Sequence, residues 1–260
     1  MNETRLLRYD QLTVEVHPTS QALGEAAAEY LIREINALLD SQPAVHIIFA
    51  TGNSMLGFYN ALHRRITEAD WRRVRIFHMD EYVGMTADHP ASFRRYLHEH
   101  IISHLQPLAF YEVIGDAADS QQECDRYAAL LRQYPPHICC LGIGENGHIA
   151  FNDPPYADFD DPLTVKVVRL AEQSRRQQVG EGHFASLDEV PQDAITLTIP
   201  ALLASACVIG IVPEARKAQA VKTALEDEIS EDCPASILRQ TPQARLLLDA
   251  DSAGLLDLTA

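Results

Sequence analysis

Residues 141–155 read LGIGENGHIAFNDPP. The stretch grows out of an apolar run, Ile138, Cys139, Cys140, Leu141 and Ile143, which predicts a buried strand running into a turn. Gly142, Gly144 and Gly147 punctuate that turn. Glycine reaches backbone angles that other residues avoid and lets a ligand come close to the main chain. His148 follows the last glycine, and Asn152 and Asp153 stand just before Pro154 and Pro155. A strand that ends in a glycine turn and then presents His, Asn and Asp is how an open α/β sheet carries a site. A surface turn with an unconnected histidine has the same spacing, so the neighbouring elements must decide.

Those elements alternate. Strands are predicted at 12–17, 45–50 and 74–79, then at 110–113 and 138–143, and again at 164–170, 195–199, 207–212 and 244–248. Helical spacing of apolar residues runs through 22–39, 92–105, 121–133 and 214–225. Strands alternating with helices predict one α/β domain over 1–260: an open, mainly parallel, Rossmann-like sheet with helices on both faces in three layers. From about 156 to 192 the regularity weakens, and a long irregular stretch in a compact domain marks a lid or binding loop.

Four polar loops follow strands. Thr51, Gly52, Asn53 and Ser54 join a strand to a helix start, where unpaired N–H groups and the helix dipole favour an anion. A plain helix cap by Asn53 or Ser54 accounts for the same residues. Asp80 and Glu81 set adjacent carboxylates just past a buried strand. The third loop is 144–153. The fourth, 213–217, puts Arg216 and Lys217 at a helix start, where the dipole disfavours cations unless an anion sits nearby. Parallel topology brings all four to one edge of the sheet.

The composition narrows the partners. Of 260 residues, 47% are hydrophobic and 22% charged, enough for a sizeable core. Lys and Arg number 21 against 37 Asp and Glu, a formal charge of −16 that repels nucleic acid and anionic membrane. A small anion binds such a chain only through local donors. The five cysteines include no CxxC pair, which argues for a reducing compartment and against a zinc site. No apolar run approaches the roughly 20 residues that span a bilayer, and the N-terminus lacks a signal-peptide core, so the expected location is cytoplasmic.

FHMDEYVGM (77–85) and LGIGENGHIAFNDPP together resemble the glucosamine-6-phosphate deaminase (isomerase) family. The wider group includes galactosamine-6-phosphate isomerases and 6-phosphogluconolactonases. The lactonase branch carries Asp-Glu-Arg in the first block and His-x-Ala-Ser-Leu-Phe in the second. Here they are Asp80-Glu81-Tyr82 and His148-Ile149-Ala150-Phe151-Asn152, on the deaminase side. The resemblance implies a sugar-phosphate substrate, no metal and no organic cofactor. The expected reaction turns glucosamine 6-phosphate into fructose 6-phosphate and ammonia. The galactosamine epimer, lactone hydrolysis and a sensor without catalysis are the alternatives.

By the same resemblance, Asp80 is the base that moves a proton from C2 to C1, with Glu81 beside it. His148 opens the sugar ring. The family flanks that histidine with two carboxylates, whereas this chain has Asn146 and Asp153. An amide orients an imidazole but does not stabilise its charged form. Thr51, Gly52, Asn53, Ser54 and Gly147 are expected at the substrate and its phosphate, with Lys217. Arg176 is the nearest counterpart of a further phosphate-binding arginine. Some family members are hexamers with an allosteric site and others monomers, so a homo-oligomer stays open.

Overall fold

The computed structural model describes residues 3–154 and 156–257; Pro155 lies outside them. The elements run β1 (Arg5–Tyr9), β2 (Leu12–His17), α1 (Ser20–Leu39), β3 (Val45–Phe49), α2 (Leu56–Arg64), β4 (Val74–His78), β5 (Asp80–Tyr82), α3 (Phe93–Leu97) and α4 (Ser103–Leu105). They continue with β6 (Ala109–Tyr111), α5 (Ser120–Gln133), β7 (Ile138–Leu141), β8 (Val165–Arg169), α6 (Glu172–Gly180), β9 (Asp193–Leu197), α7 (Ile199–Leu203), β10 (Cys207–Val212), α8 (Ala218–Glu226) and β11 (Ala244–Asp249).

Eight strands form the main sheet in the order β1-β2-β11-β10-β7-β3-β4-β6. Every pairing in it is parallel except the edge hairpin of β1 with β2. Central strands such as β7 (ICCL) and β10 (CVIGIV) are buried along their whole length, as strands covered on both faces must be. Ile48 lies beside Phe77 in the register of β3 with β4, and Phe49 beside His78. Phe49 packs on Phe58 and Tyr59 of α2, whereas Phe77 packs on Tyr127 of α5. Successive strand residues point to opposite faces, so α2 and α5 cover opposite sides. The expected three-layer α/β architecture is the one found.

The topology also places the site. From β3 the chain moves outward to β4 and β6. It then returns to β7 on the other side of β3 and continues to β10 and β11. The strand order reverses between β3 and β7, and a crevice opens at such a reversal outside the carboxyl ends of the strands.

Three features depart from the sequence expectation. β1 was not expected; its Arg5, Leu6 and Arg8 are exposed, and a charged edge strand lacks the apolar alternation that betrays a half-buried one. Asp80 to Tyr82, expected as a loop, are β5. β5 joins β9 and β8 in a second, antiparallel sheet of order β5-β9-β8. β8 (VKVVR) has buried and exposed positions mixed, unlike the parallel strands. The small sheet carries a separate apolar cluster, including Tyr82, Phe151, Leu170 and Phe184.

Candidate active site

A cleft of about 100 Å³ opens at the reversal between β3 and β7. Thr51, Gly52 and Ser54 line it from the loop after β3, Asp80 from β5, Gly144 and His148 from the turn after β7, and Lys217 from the turn after β10. The four polar loops therefore do meet. Further walls come from α6 and the residues just after it, and from Pro90 to Phe93 and Tyr96 at the start of α3.

His148 is held from its own turn. Its Nδ1 lies 2.6 Å from Asn146 Oδ1 and 2.9 Å from Asp153 Oδ1. Both oxygens are acceptors, so Nδ1 carries the proton. The amide orientation of Asn146 follows from its other bonds. Its Oδ1 also accepts from the His148 backbone N–H, and its Nδ2 donates to Asp153 Oδ1 at 2.9 Å. Nε2 of His148 has no bonded partner among the described residues and is the ring nitrogen left for a ligand. Gly144 is required here, because a Cβ on it would come within 2.2 Å of the His148 ring. Burial pushes the Asp153 carboxyl up, but His148, Asn146 and Ser174 outweigh it and hold the group below its ordinary value. Asn146 thus leaves His148 one carboxylate partner. Glu145 does not supply a second; it turns to Arg216.

Asp80 is 7% exposed, and its carboxylate has no bonded partner among the described residues. Burial, and then the charge of Glu81, raise it well above the ordinary carboxyl range. Its neighbour has another task. Glu81 is fully buried and accepts from Ser92 Oγ at 2.7 Å and from the backbone N–H groups of Arg94, Phe93 and Tyr82. It satisfies the open N-terminus of α3. The geometry gives Glu81 a structural role and leaves Asp80 as the one of the pair that lines the cleft.

The anion corner lies at the other end. Gly52 adopts φ +106° with open space where a side chain would stand, ahead of the short 3₁₀ turn Asn53–Met55 that leads into α2. Lys217 is 3% exposed and has no bonded partner among the described residues. Burial and then the neighbouring Arg216 lower its pKa, against the pull of Glu181, Glu145 and Glu214.

Three expected residues stand elsewhere. Asn53 turns aside and donates to the Glu181 carbonyl. Gly147 (φ +83°) packs on Cys233, whose Sγ a Cβ would meet at 2.5 Å, and does not line the cleft. Arg176 is exposed and paired with Glu172 one helical turn back, so it does not complete the phosphate corner. Asn152, singled out with them, is fully buried and ties its turn to β9 through the Leu197 carbonyl.

Sequence reasoning did not name the residues of the α6 wall. Gln177 and Glu181 line the cleft, and Ser174 lies buried behind His148. Glu181 pairs with Arg216 at 2.8 Å and accepts from Gln177. Burial pushes its carboxyl up, but His183, Gln177, Arg216 and Lys217 bring it down to about 2. The only signal was the irregular stretch from about 156 to 192, which marks a region and not a residue.

Residues 18–247 match the family model described as glucosamine-6-phosphate isomerases/6-phosphogluconolactonase. The chain is 38% identical over 207 residues to a glucosamine-6-phosphate deaminase of Exiguobacterium sibiricum, covering 80% of this chain and 79% of that one. It superimposes on the solved structure of a monomeric glucosamine-6-phosphate deaminase with a TM-score of 0.86 and 32% identity, covering 93% of this chain and 99% of that one. A 6-phosphogluconolactonase of Shewanella baltica shares the fold, with a TM-score of 0.75 at 18% identity, over 91% of this chain and 96% of that one.

Proposed function

Because the chain belongs to the family of glucosamine-6-phosphate isomerases and 6-phosphogluconolactonases, we infer that it converts glucosamine 6-phosphate and water to fructose 6-phosphate and ammonia. One observation carries the reading. An unpartnered buried carboxylate, Asp80, and a histidine with a fixed tautomer, His148, line a single cleft that ends at an unpartnered lysine, Lys217.

The phosphate sits between the Thr51, Gly52 and Ser54 loop and Lys217. The free Nε2 of His148 takes the proton of the C1 hydroxyl and passes it to the ring oxygen as the C1–O bond to the ring breaks, which opens the ring to the aldehyde and leaves His148 neutral again. Asp80 then removes the C2 proton, giving an enolamine, and returns it to C1. A carboxylate without hydrogen-bond donors and lifted by burial is a stronger base than one in water. The resulting C2 imine takes up water and releases ammonia, leaving the ketone. Residues 156–192 act as the lid of this single domain. The five cysteines are buried and free, which supports a reducing, cytoplasmic setting.

The test is ammonia release from the purified chain, with glucosamine 6-phosphate and galactosamine 6-phosphate assayed side by side and 6-phosphogluconolactone hydrolysis as control. Ammonia from glucosamine 6-phosphate is expected. Ammonia from neither amino sugar would overturn the reading.

A further inference from the structure

His148 Nδ1 faces a third oxygen besides those of Asn146 and Asp153, and it comes from outside the turn. Ser174 Oγ lies 3.3 Å from that nitrogen and 2.5 Å from Asp153 Oδ1. Since Nδ1 already carries a proton, the hydroxyl hydrogen goes to Asp153. Asp153 Oδ1 therefore collects donors from His148, Asn146 and Ser174, while its Oδ2 is buried without a partner.

Ser174 is 2% exposed and lies in the first turn of α6. The far end of the same helix is fastened to the anion corner. Gln177 accepts from the Glu145 backbone N–H, Glu181 pairs with Arg216, and Asn53 donates to the Glu181 carbonyl. Seven residues, about 10 Å of helix, thus separate a contact to the proton-handling corner from a contact to the phosphate corner.

We propose that Ser174 is a positioning residue, through which α6 tunes the grip of Asp153 on the His148 ring. The Ser174 hydroxyl draws on the Asp153 carboxylate and weakens its hold on an imidazolium. Without that hydroxyl, Asp153 loses one of its three donors and holds an imidazolium more tightly. The other titratable groups facing this cleft are Asp80 from β5, Tyr96 from α3, Glu181 and His183 from α6 and beyond, and Lys217. Among the described residues, none of these bonds the His148 ring; Asp153, behind it, is the titratable group that does.

The inference rests on the ring-opening role given to His148, and its test separates the two. In Ser174→Ala, the acid limb of kcat/KM for ammonia release is expected to move up by roughly half a pH unit to one unit, the size of one lost hydrogen bond. At neutral pH kcat falls several-fold with KM nearly unchanged, and Ser174→Thr restores both. In parallel, the His148 ring is titrated by NMR in the wild-type chain and in Ser174→Ala. An upward shift of the ring pKa in the alanine variant is expected. An unshifted ring overturns the proposal even if ammonia is released. A wild-type chain that releases no ammonia strikes the deaminase reading, and the ring titration still decides this one.

Discussion

Two walls of the cleft each bury an aspartate, and physics treats them in opposite ways. Asp153, in the turn after β7, and Asp80, on β5, are both pushed up by burial. Asp153 has three donors on one oxygen and ends below its ordinary value. Asp80 has none among the described residues, feels Glu81 beside it, and ends well above. Lys217 resembles Asp80 in the opposite sign: buried, unbonded and pulled toward neutrality. Burying an ionised group is costly unless something pairs with it. In the proposed reaction, the charges left unpaired among the described residues are the ones that meet the substrate, and the paired one belongs to the frame.

The sharpest way to break this contrast is to neutralise Asp80. Asp80→Asn keeps the shape and removes the base, so kcat is expected to fall by about 10³ to 10⁴, near the upper range for general acid–base catalysis. Exchange of the C2 proton with solvent, followed by NMR in deuterium oxide, should stop with it. Continued exchange would take Asp80 out of the role of base.

The same substitution at Asp153 probes the frame. Asp153→Asn can still accept from His148 but no longer balances its charge, so a drop in kcat of roughly 10² is expected from mispositioned proton transfer. A loss equal to that of Asp80→Asn would erase the distinction between the two walls. At the third position, Lys217→Ala removes a charge-assisted contact to the phosphate. KM is expected to rise by about 10- to 100-fold, the weight of one such bond, with kcat changing less. Steady-state kinetics read both, and an unchanged KM would put the phosphate elsewhere.

How much of this contrast could be read before the fold was known depends on which sheet carried each residue. The parallel layer was legible, because β7 and β10 are continuous apolar runs and the polar residues after them fall at one edge by topology alone. His148, Asp153 and Lys217 came with it. Asp80 was placed in the site, but its strand was not, since three residues of β5 gain their structure only from pairing with β9. Helix α6 was the least legible. It is polar nearly all round, with Ser174 its only buried residue, and its position depends on a small sheet whose strands β8 and β9 were predicted but whose antiparallel pairing with β5 was not. Arg175 and Arg176 show the consequence. One residue is about 100° of helix, and it separates Arg175, turned in to the carbonyls of Leu187 and Val190, from Arg176, turned out to Glu172.

The smallest expected effect tests the contrast without any substrate. A carboxyl whose folded pKa is raised stabilises the fold below its unfolded pKa and loses that contribution as pH rises through the folded value. One whose folded pKa is depressed stabilises the fold above its unfolded pKa and loses that as pH falls through the folded value. Near pH 7, Asp80 therefore opposes folding and Asp153 supports it. Asp80→Asn should raise Tm by roughly 2–4 °C at neutral pH, about 1 kcal/mol for a chain of this size, and the gain should vanish below about pH 4, where the free carboxyl is protonated as well. Asp153→Asn should lower Tm by at least as much at neutral pH, with the deficit shrinking as the pH drops below about 4. Thermal melts of both variants and wild type between acid and neutral pH would then diverge in opposite directions from a common acid limit. Parallel shifts would mean that burial alone, and not the donors around Asp153, governs both carboxylates. The separation of working charges from framing charges would then fail at its physical root.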